Sequence, residues 1–344
     1  MKNTYFEIRE FYKCDKDLWN NFCLRSDEAW LWHTHESITS KSLWHNHNNL
    51  SFYVVDKSNK NKIIAIFPIF FVKRSKIIDY STLDSLGGAA CENNLNKTKH
   101  KKLIRFINEY ISLLLNNYKV YKCEILLSTL SSSIIERQKV IPNPLGQLIN
   151  NDKSSFTWIK SLENETFEKV FQSFDSKTKQ TIKKNKAVLS FHQVNSSNAK
   201  ELSDKYYEFH LETTKRKNIN PQSKSYYEYI FLKFPINNKK IFYVKENNEI
   251  LSFSLFGLYK NKVIYWSNAS SDLGISRSSN YFCMCESIKY FISKKIKFIE
   301  FGEGFFDYSN KENLNLNHFK KSFDGQQYPL FRGEKYKINT DISF

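Results

Sequence analysis

Along the second half of the chain, short apolar runs alternate with polar turns in a fixed order. Residues 241–244 predict a strand, 245–249 a turn, and 250–258 a second strand in which Ser252 and Ser254 alternate with Leu251, Phe253 and Leu255. A turn over 259–262 leads to a third strand over 263–266. Phe282, Cys285, Ile288 and Ile292 then recur at helical spacing within 281–293, and 297–301 returns as a strand that enters Gly302. The first half passes through the same series. It shows strands over 52–55, 63–72 and 77–80, then a helix over about 101–116 with Leu103, Phe106, Ile107, Tyr110, Ile111 and Leu114 on one face, then a strand over 123–127. Each half also opens on a helical segment, 15–24 and 199–215. Few residues coincide between the halves, so the repeat is one of pattern.

This order predicts a mixed α/β fold with mostly antiparallel sheets. Two units, each an antiparallel meander crossed by a helix, would leave a cleft between them for a ligand. The least periodic stretch, Asn143-Pro144-Leu145-Gly146 through Ser155, sets the boundary and gives domains over 1–150 and 151–344. The second unit opens with a strand over 156–159 and a helix over 165–186, for which Asn164 is the expected N-cap.

Composition narrows the class. A length of 344 residues suits two domains of roughly 100–200 residues each. The 29 Phe, 20 Tyr and 6 Trp exclude a disordered chain. The longest apolar run, 63–72, contains Pro68 and stops at Lys73-Arg74, well short of the ~20 residues that span a bilayer. Residues 1–7 lack the apolar core of a signal peptide, so a cytoplasmic protein without membrane contact is expected. Lys and Arg total 52 against 35 Asp and Glu, a net charge of +17 that favours phosphorylated partners. That charge is spread along the chain, and most of it reads as solvated surface. The six cysteines form no C-x-x-C and read as free thiols. His33 and His35, like His45 and His47, have no acidic or thiol partner at ligand spacing, so no metal is expected.

Several motifs carry a family resemblance. Residues 174–184 read Phe-Asp-Ser-Lys-Thr-Lys-Gln-Thr-Ile-Lys-Lys, 276–281 read Ser-Arg-Ser-Ser-Asn-Tyr, and 298–304 read Phe-Ile-Glu-Phe-Gly-Glu-Gly. Residues 317–325 follow as Asn-His-Phe-Lys-Lys-Ser-Phe-Asp-Gly, and the first half adds Phe67-Pro68-Ile69-Phe70 and Leu83-Asp84-Ser85-Leu86-Gly87-Gly88. In order and spacing these resemble the FemAB-like branch of the GNAT acyltransferases over about residues 15–333. The chain departs from the GNAT phosphate loop, since Gly274 is the one glycine near and Ser278, Ser279 and Asn280 stand in its place.

The resemblance implies two fused GNAT folds and an enzyme transferring an acyl group from acyl-CoA to an amine. The implied acceptor is a nucleotide-linked amino-deoxy sugar, dTDP-linked foremost, of capsule or lipopolysaccharide synthesis. It further implies that the third strand, with Trp266, Ser267 and Asn268, binds the pantetheine arm. The turn Arg277-Ser278-Ser279-Asn280 opens a helix whose N-terminus suits pyrophosphate. Lys177, Lys179 and Lys183 are candidates for substrate phosphate. Trp44, Tyr80, Ser85, Gly87 and Gly88 of the first unit are candidates for the nucleotide. Acyl transfer to an amine calls for a base, and strand ends at glycine deliver side chains into clefts. Glu303 is the first candidate, with His318 and Asp307 behind it. Two other readings stand beside this one: an aminoacyl-tRNA-dependent transferase of the FemAB type, and a non-catalytic nucleic-acid-binding protein. The span between Lys186 and Ile241 is too short for the long helical arm of many bridge-forming members, and no basic tail favours the last reading.

Overall fold

In the second half the meander forms as its alternation dictates, and both of its faces are covered. The computed structural model describes residues 4–74, 80–137, 141–307 and 309–337. Lys239–Glu246 pairs antiparallel with Glu249–Tyr259, and that strand pairs with Lys262–Ser270. The second connection turns on Lys260 and Asn261, both with positive φ, as a tight hairpin demands. On one face Leu251, Phe256 and Val263 pack against Phe282, Cys285, Ile288 and Phe291 of the helix Ser279–Ser293. On the other, Phe253 meets the rings of Tyr206 and Phe209 from the helix Ala199–Arg216. Burial on two sides explains why this strand is apolar almost throughout.

The chain divides into two compact units, Met1–Ser155 with Pro329–Phe344, and Phe156–Tyr328. The second contains most of a seven-stranded sheet, ordered Leu189–Gln193, Lys239–Glu246, Glu249–Tyr259, Lys262–Ser270, Phe298–Glu303, Ser155–Ser161, Gln326–Leu330. The first contains a four-stranded sheet of Phe6–Glu10, Phe52–Asp56, Lys62–Phe67 and Ala90–Cys91. Its six-stranded sheet runs His47–Asn49, Phe70–Lys73, Ser81–Leu86, Lys122–Leu126, Arg332–Tyr336, Asn151–Asp152. The repeated pattern has a structural counterpart. In each unit two parallel strands are joined by a crossing helix: Ser81–Leu86 to Lys122–Leu126 through Lys97–Asn117, and Lys262–Ser270 to Phe298–Glu303 through Ser279–Ser293. Among the described residues no helix is long and apolar enough to cross a membrane. All six cysteines are free thiols.

Three expectations are corrected. The run 63–72 is two strands in two sheets, because Pro68 supplies no N–H to a ladder; the Ile69 N–H instead reaches Ser51 Oγ at 3.0 Å. The helix over 165–186 is likewise two, Phe167–Ser173 capped by Thr166 and Ser176–Lys186 capped by Asp175, whose carboxylate accepts from Lys177 N and Thr178 N. Asn164 adopts a left-handed φ of 59° and caps neither. The tail does not stay with residues 151–344: Arg332–Tyr336 pairs with Lys122–Leu126 and Asn151–Asp152 and completes the first unit's sheet. The helix Lys311–Ser322 was not foreseen by periodicity. Of the strand expected over 77–80, residues 77–79 lie outside the described residues.

An ion pair fastens the tail strand. Glu334 Oε1 lies 2.7 Å from Lys122 Nζ, and its other oxygen accepts from Tyr336 Oη and from Asn151 Nδ2 at 3.1 Å. The hydrogen bonds from Lys122 and Tyr336 hold this carboxyl down at about 2. Its folded value lies below its unfolded one, so the pair stabilises the fold above the unfolded pKa, and that stability is lost as pH falls toward the folded value. Urea midpoints of the parent should therefore drop between about pH 5 and pH 2, and Glu334→Gln should start lower and fall less over that window. Parallel pH curves for the two proteins would show that the pair does not anchor the strand.

Candidate active site at a strand fork

The second unit's sheet parts at one place. Lys262–Ser270 pairs with Phe298–Glu303 only through Lys262, Val263 and Ile264, the last opposite Glu300. Its other edge stays paired with Glu249–Tyr259 out to Ser270, across a bulge at Leu255/Phe256. Phe298–Glu303 stays paired with Ser155–Ser161 out to Glu303, across a bulge at Trp158/Ile159. Bulges bend the strands that carry them, so each arm of the fork follows its outer neighbour. From Tyr265 onward, no strand among the described residues pairs with the inner edge of Lys262–Ser270.

Charged groups gather where the arms part. Glu300 is 4% exposed and accepts from Thr157 Oγ1 at 2.7 Å. Burial pushes its carboxyl up to about 7, opposed by the Thr157 hydrogen bond and by Lys320. Lys320, on the helix Lys311–Ser322, is buried and donates to the Glu303 carbonyl. Burial brings its ammonium down to about 8, opposed by the carboxylates of Glu303 and Glu300. One turn earlier on that helix, Asn317 clamps the following loop: Oδ1 accepts from Phe305 N at 3.0 Å and Nδ2 donates to Phe305 O at 2.7 Å. Phe319 of the same helix lies against Tyr265 and Tyr281, with ring centroids 6.3 and 4.9 Å apart. The turn between is made by glycine for steric reasons. Gly302 has φ +97°, and a Cβ on Gly304 would lie 1.9 Å from the Phe156 ring. The result is a carboxyl and an ammonium that both titrate near neutrality, which suits proton acceptance and stabilisation of a developing anion.

Glu300 and Lys320 were not singled out from the sequence. A signal was present: an acid between Ile299 and Phe301 in a strand, and a lysine three residues after Asn317 on one helical face. Of the expected bases, Glu303 is half-buried at the end of its strand with its carbonyl bound by Lys320. His318 is exposed and lines an open depression of about 740 Å³ with Trp158, Asp175 and Lys321. Asp307 is exposed, and its carboxylate closes a local turn by accepting from Ser309 N at 3.0 Å and Ser309 Oγ at 2.6 Å.

The expected donor residues flank the fork. Ser267 Oγ accepts from Tyr206 Oη at 2.7 Å, Asn268 Nδ2 donates to Phe253 O at 2.8 Å, and Trp266 stands edge-on to Phe234 at 5.5 Å. Ser278 has a left-handed φ of 52° and begins the helix Ser279–Ser293 without a side-chain cap. Asn185 Nδ2 holds this turn through Arg277 O at 2.9 Å and Ser278 O at 3.3 Å. Ser279 is fully buried with its hydroxyl on Ser252 Oγ at 2.8 Å, so it does not offer a side chain to a ligand. Asn280 is half-buried. Arg277 is exposed and its Nε lies 3.1 Å from Glu246 Oε2, a partner that competes with any anion. Lys177 and Lys183 are exposed, whereas Lys179 donates to Gln172 O at 2.8 Å.

In the first unit, Trp44 is half-buried, with its ring 4.7 Å from that of His47, and Tyr80 is 41% exposed. Ser85 is turned inward: its hydroxyl donates to Pro68 O and accepts from Gly88 N at 3.2 Å. Gly87 (φ +118°) and Gly88 (φ +72°) shape a turn against buried His33, whose ring lies 2.5 Å from where a Cβ on Gly87 would stand. Packing accounts for Ser85, Gly87 and Gly88 without a nucleotide.

No protein-family model matches the chain, and no curated protein sequence matches it. Solved structures do. The crystal structure of FemX is 14% identical, covers 97% of both chains and gives a TM-score of 0.64. A tandem GNAT protein from the clavulanic acid biosynthesis pathway is 8% identical, with 98% of this chain and 100% of that chain covered and a TM-score of 0.57. Saccharomyces cerevisiae N-myristoyltransferase with bound myristoyl-CoA is 11% identical, with 98% and 80% covered and a TM-score of 0.52. The fold is therefore the tandem GNAT fold, mixed α/β with two GNAT-like units.

Gly304 gives a direct probe of how tightly the turn at the fork is packed. Gly304→Ala places a methyl group into the Phe156 ring and should lower unfolding free energy by about 1–3 kcal/mol, read from urea denaturation. An unchanged midpoint would mean that the ring swings aside freely and does not pin the turn.

Proposed function

We propose that the chain is an N-acyltransferase of the GNAT superfamily, moving an acyl group from a CoA thioester to the amino group of a nucleotide-linked amino-deoxy sugar. The observation that carries this reading is the fork, with Glu300 and Lys320 at its base. Beyond Ile264 the inner edge of Lys262–Ser270 is covered by no strand among the described residues, and a pantetheine arm would lie along it with its thioester toward Glu300. The acceptor ammonium loses a proton to Glu300, whose value of about 7 matches the task. Glu303, less buried, orients the amine. The neutral nitrogen attacks the thioester carbon, Lys320 offsets the charge on the oxygen, and the C–S bond breaks as the C–N bond forms. CoA leaves as the thiol after taking up a proton, and the amide is the product. Similarity to a protein that binds myristoyl-CoA supports the donor, and the net charge of +17 supports phosphorylated substrates. A dTDP-linked sugar of surface polysaccharide remains the leading acceptor.

A second reading, transfer from aminoacyl-tRNA, is favoured by the Arg277–Glu246 pair, which leaves the expected pyrophosphate turn with little net charge. Parallel melting experiments with CoA, dTDP, UDP and bulk tRNA separate the two. CoA and dTDP should raise the midpoint, since a ligand at ~100 times its dissociation constant adds ~2.7 kcal/mol. A shift with tRNA alone would replace the first reading with the second.

The mechanism also fixes a pH profile. Glu300 must be deprotonated and Lys320 protonated, so kcat/KM should rise as pH passes about 7 and fall as it passes about 8. Glu300→Gln should lose the acid limb and ~10²–10⁴-fold of turnover, and Lys320→Met should lose the alkaline limb. A Glu300→Gln enzyme that keeps parental kinetics would move the base to Glu303.

A further inference from the structure

Among the described residues, one group of three His, Cys and carboxylate side chains brings its ligand atoms within 4.8 Å of one another: Glu28, Cys91 and His100. They arrive from three separate places in the first unit. Glu28 lies in the loop after the helix Lys16–Arg25, Cys91 ends the edge strand Ala90–Cys91, and His100 is in the first turn of the helix Lys97–Asn117. The histidine pairs set aside in the sequence contribute none of it: His33 is buried against Gly87, and His35 stacks on Phe11.

The group is held in place by its surroundings. Cys91 N donates to Glu28 Oε2 at 2.8 Å, and Cys91 O accepts from Ser26 Oγ at 2.7 Å. Asn93 ties the same loop to the strand end, donating to Arg25 O and accepting from Asp27 N, both at 2.9 Å. Asn96 caps the helix that carries His100 by accepting from Lys99 N at 2.9 Å. All three side chains line a depression of about 320 Å³ together with Asp27, Glu92, Glu136 and Arg137.

We infer that Glu28, Cys91 and His100 bind a borderline-soft divalent cation, zinc foremost, with a fourth coordination position open to the depression. A thiolate, an imidazole and a carboxylate form a donor set suited to zinc and unsuited to magnesium or calcium. Bonds of roughly 2.0–2.3 Å in a tetrahedron put ligand atoms about 3.5 Å apart, so from separations within 4.8 Å a contraction of at most about 1.3 Å is needed. Glu28 and His100 are half-buried and can supply it by rotation, while Cys91 stays fixed in its strand. A cation takes the place of the thiol proton, which leaves to water, and its two positive charges balance the thiolate and the carboxylate.

Cobalt(II) makes the test spectroscopic. The full-length protein, stripped with chelator and titrated with cobalt, should take up one ion with tetrahedral ligand-field bands and a thiolate-to-cobalt charge-transfer band, and zinc should displace both. His100→Ala, on a half-buried helix face, should weaken cobalt binding by at least roughly tenfold while the fold persists. Cys91→Ser should lose the charge-transfer band, and Cys14→Ser, which changes the half-buried thiol elsewhere in this unit, should keep it. A folded parent without the thiolate band would overturn the site. So would a band lost in Cys14→Ser, or affinity unchanged in His100→Ala.

Discussion

The second unit is organised by the parting of two neighbouring strands, Lys262–Ser270 and Phe298–Glu303, each of which follows the partner on its outer side. Its outer edge is zipped to Glu249–Tyr259 as far as Ser270, and the bulge at Leu255/Phe256 bends the pair together. Phe298–Glu303 is bound in the same way to Ser155–Ser161 with a bulge of its own. The two middle strands hold together for three residues and then separate. Beyond Ile264 no strand among the described residues covers the edge of Lys262–Ser270 that faces Phe298–Glu303. The crossing helix Ser279–Ser293 begins after the longer arm ends, which brings its N-terminal turn to the same end of the sheet.

Lys320 is stable in this setting because the chain around it supplies what its ammonium requires. The Glu303 carbonyl accepts its proton, the Phe305 ring lies beneath it at 5.1 Å, and Glu300 and Glu303 provide opposite charge. Gly302 lies beside it, where a Cβ would make only ordinary contact at 3.8 Å from Nζ, and it is the φ of +97° that calls for glycine there. Removing the lysine would leave Glu300 buried with only the Thr157 hydroxyl, a costly state for a charged carboxylate. The helix Lys311–Ser322 therefore acts as more than cover: through Asn317, Phe319 and Lys320 it shapes the loop, touches the fork and sets its charge.

What could be read from the sequence was what repeats locally. Alternation in 241–266 and helical spacing in 281–293 depend on neighbours a few residues away, and those elements formed where expected. Contacts set by distant chain were hidden. Nothing in Arg332–Tyr336 marks it as a partner for Lys122–Leu126, more than two hundred residues earlier, and Glu28, Cys91 and His100 share no spacing. At the fork the sequence points to Glu303 because its strand ends at glycine, and such ends deliver side chains to ligands. Glu300 was passed over as part of an apolar strand, although a carboxyl in such a strand has a raised pKa for the same reason that it is hard to bury.

The first unit repeats the topology without the opening. Its parallel strands, Ser81–Leu86 and Lys122–Leu126, pair from Leu83 to Leu86, the full length available before the turn. Gly87 N then donates to Leu126 O at 2.7 Å and carries the ladder one residue further. The glycines at 87 and 88 close that end against His33 and Leu127, where the second unit's corresponding strand runs on to Ser270 after its parallel pairing ends at Ile264. The tail strand Arg332–Tyr336 occupies the other edge of Lys122–Leu126 and is locked there by Glu334 and Lys122. The two units thus differ at the same point of a shared topology: in the first the parallel ladder closes at its glycine turn, and in the second the strands part after three pairs.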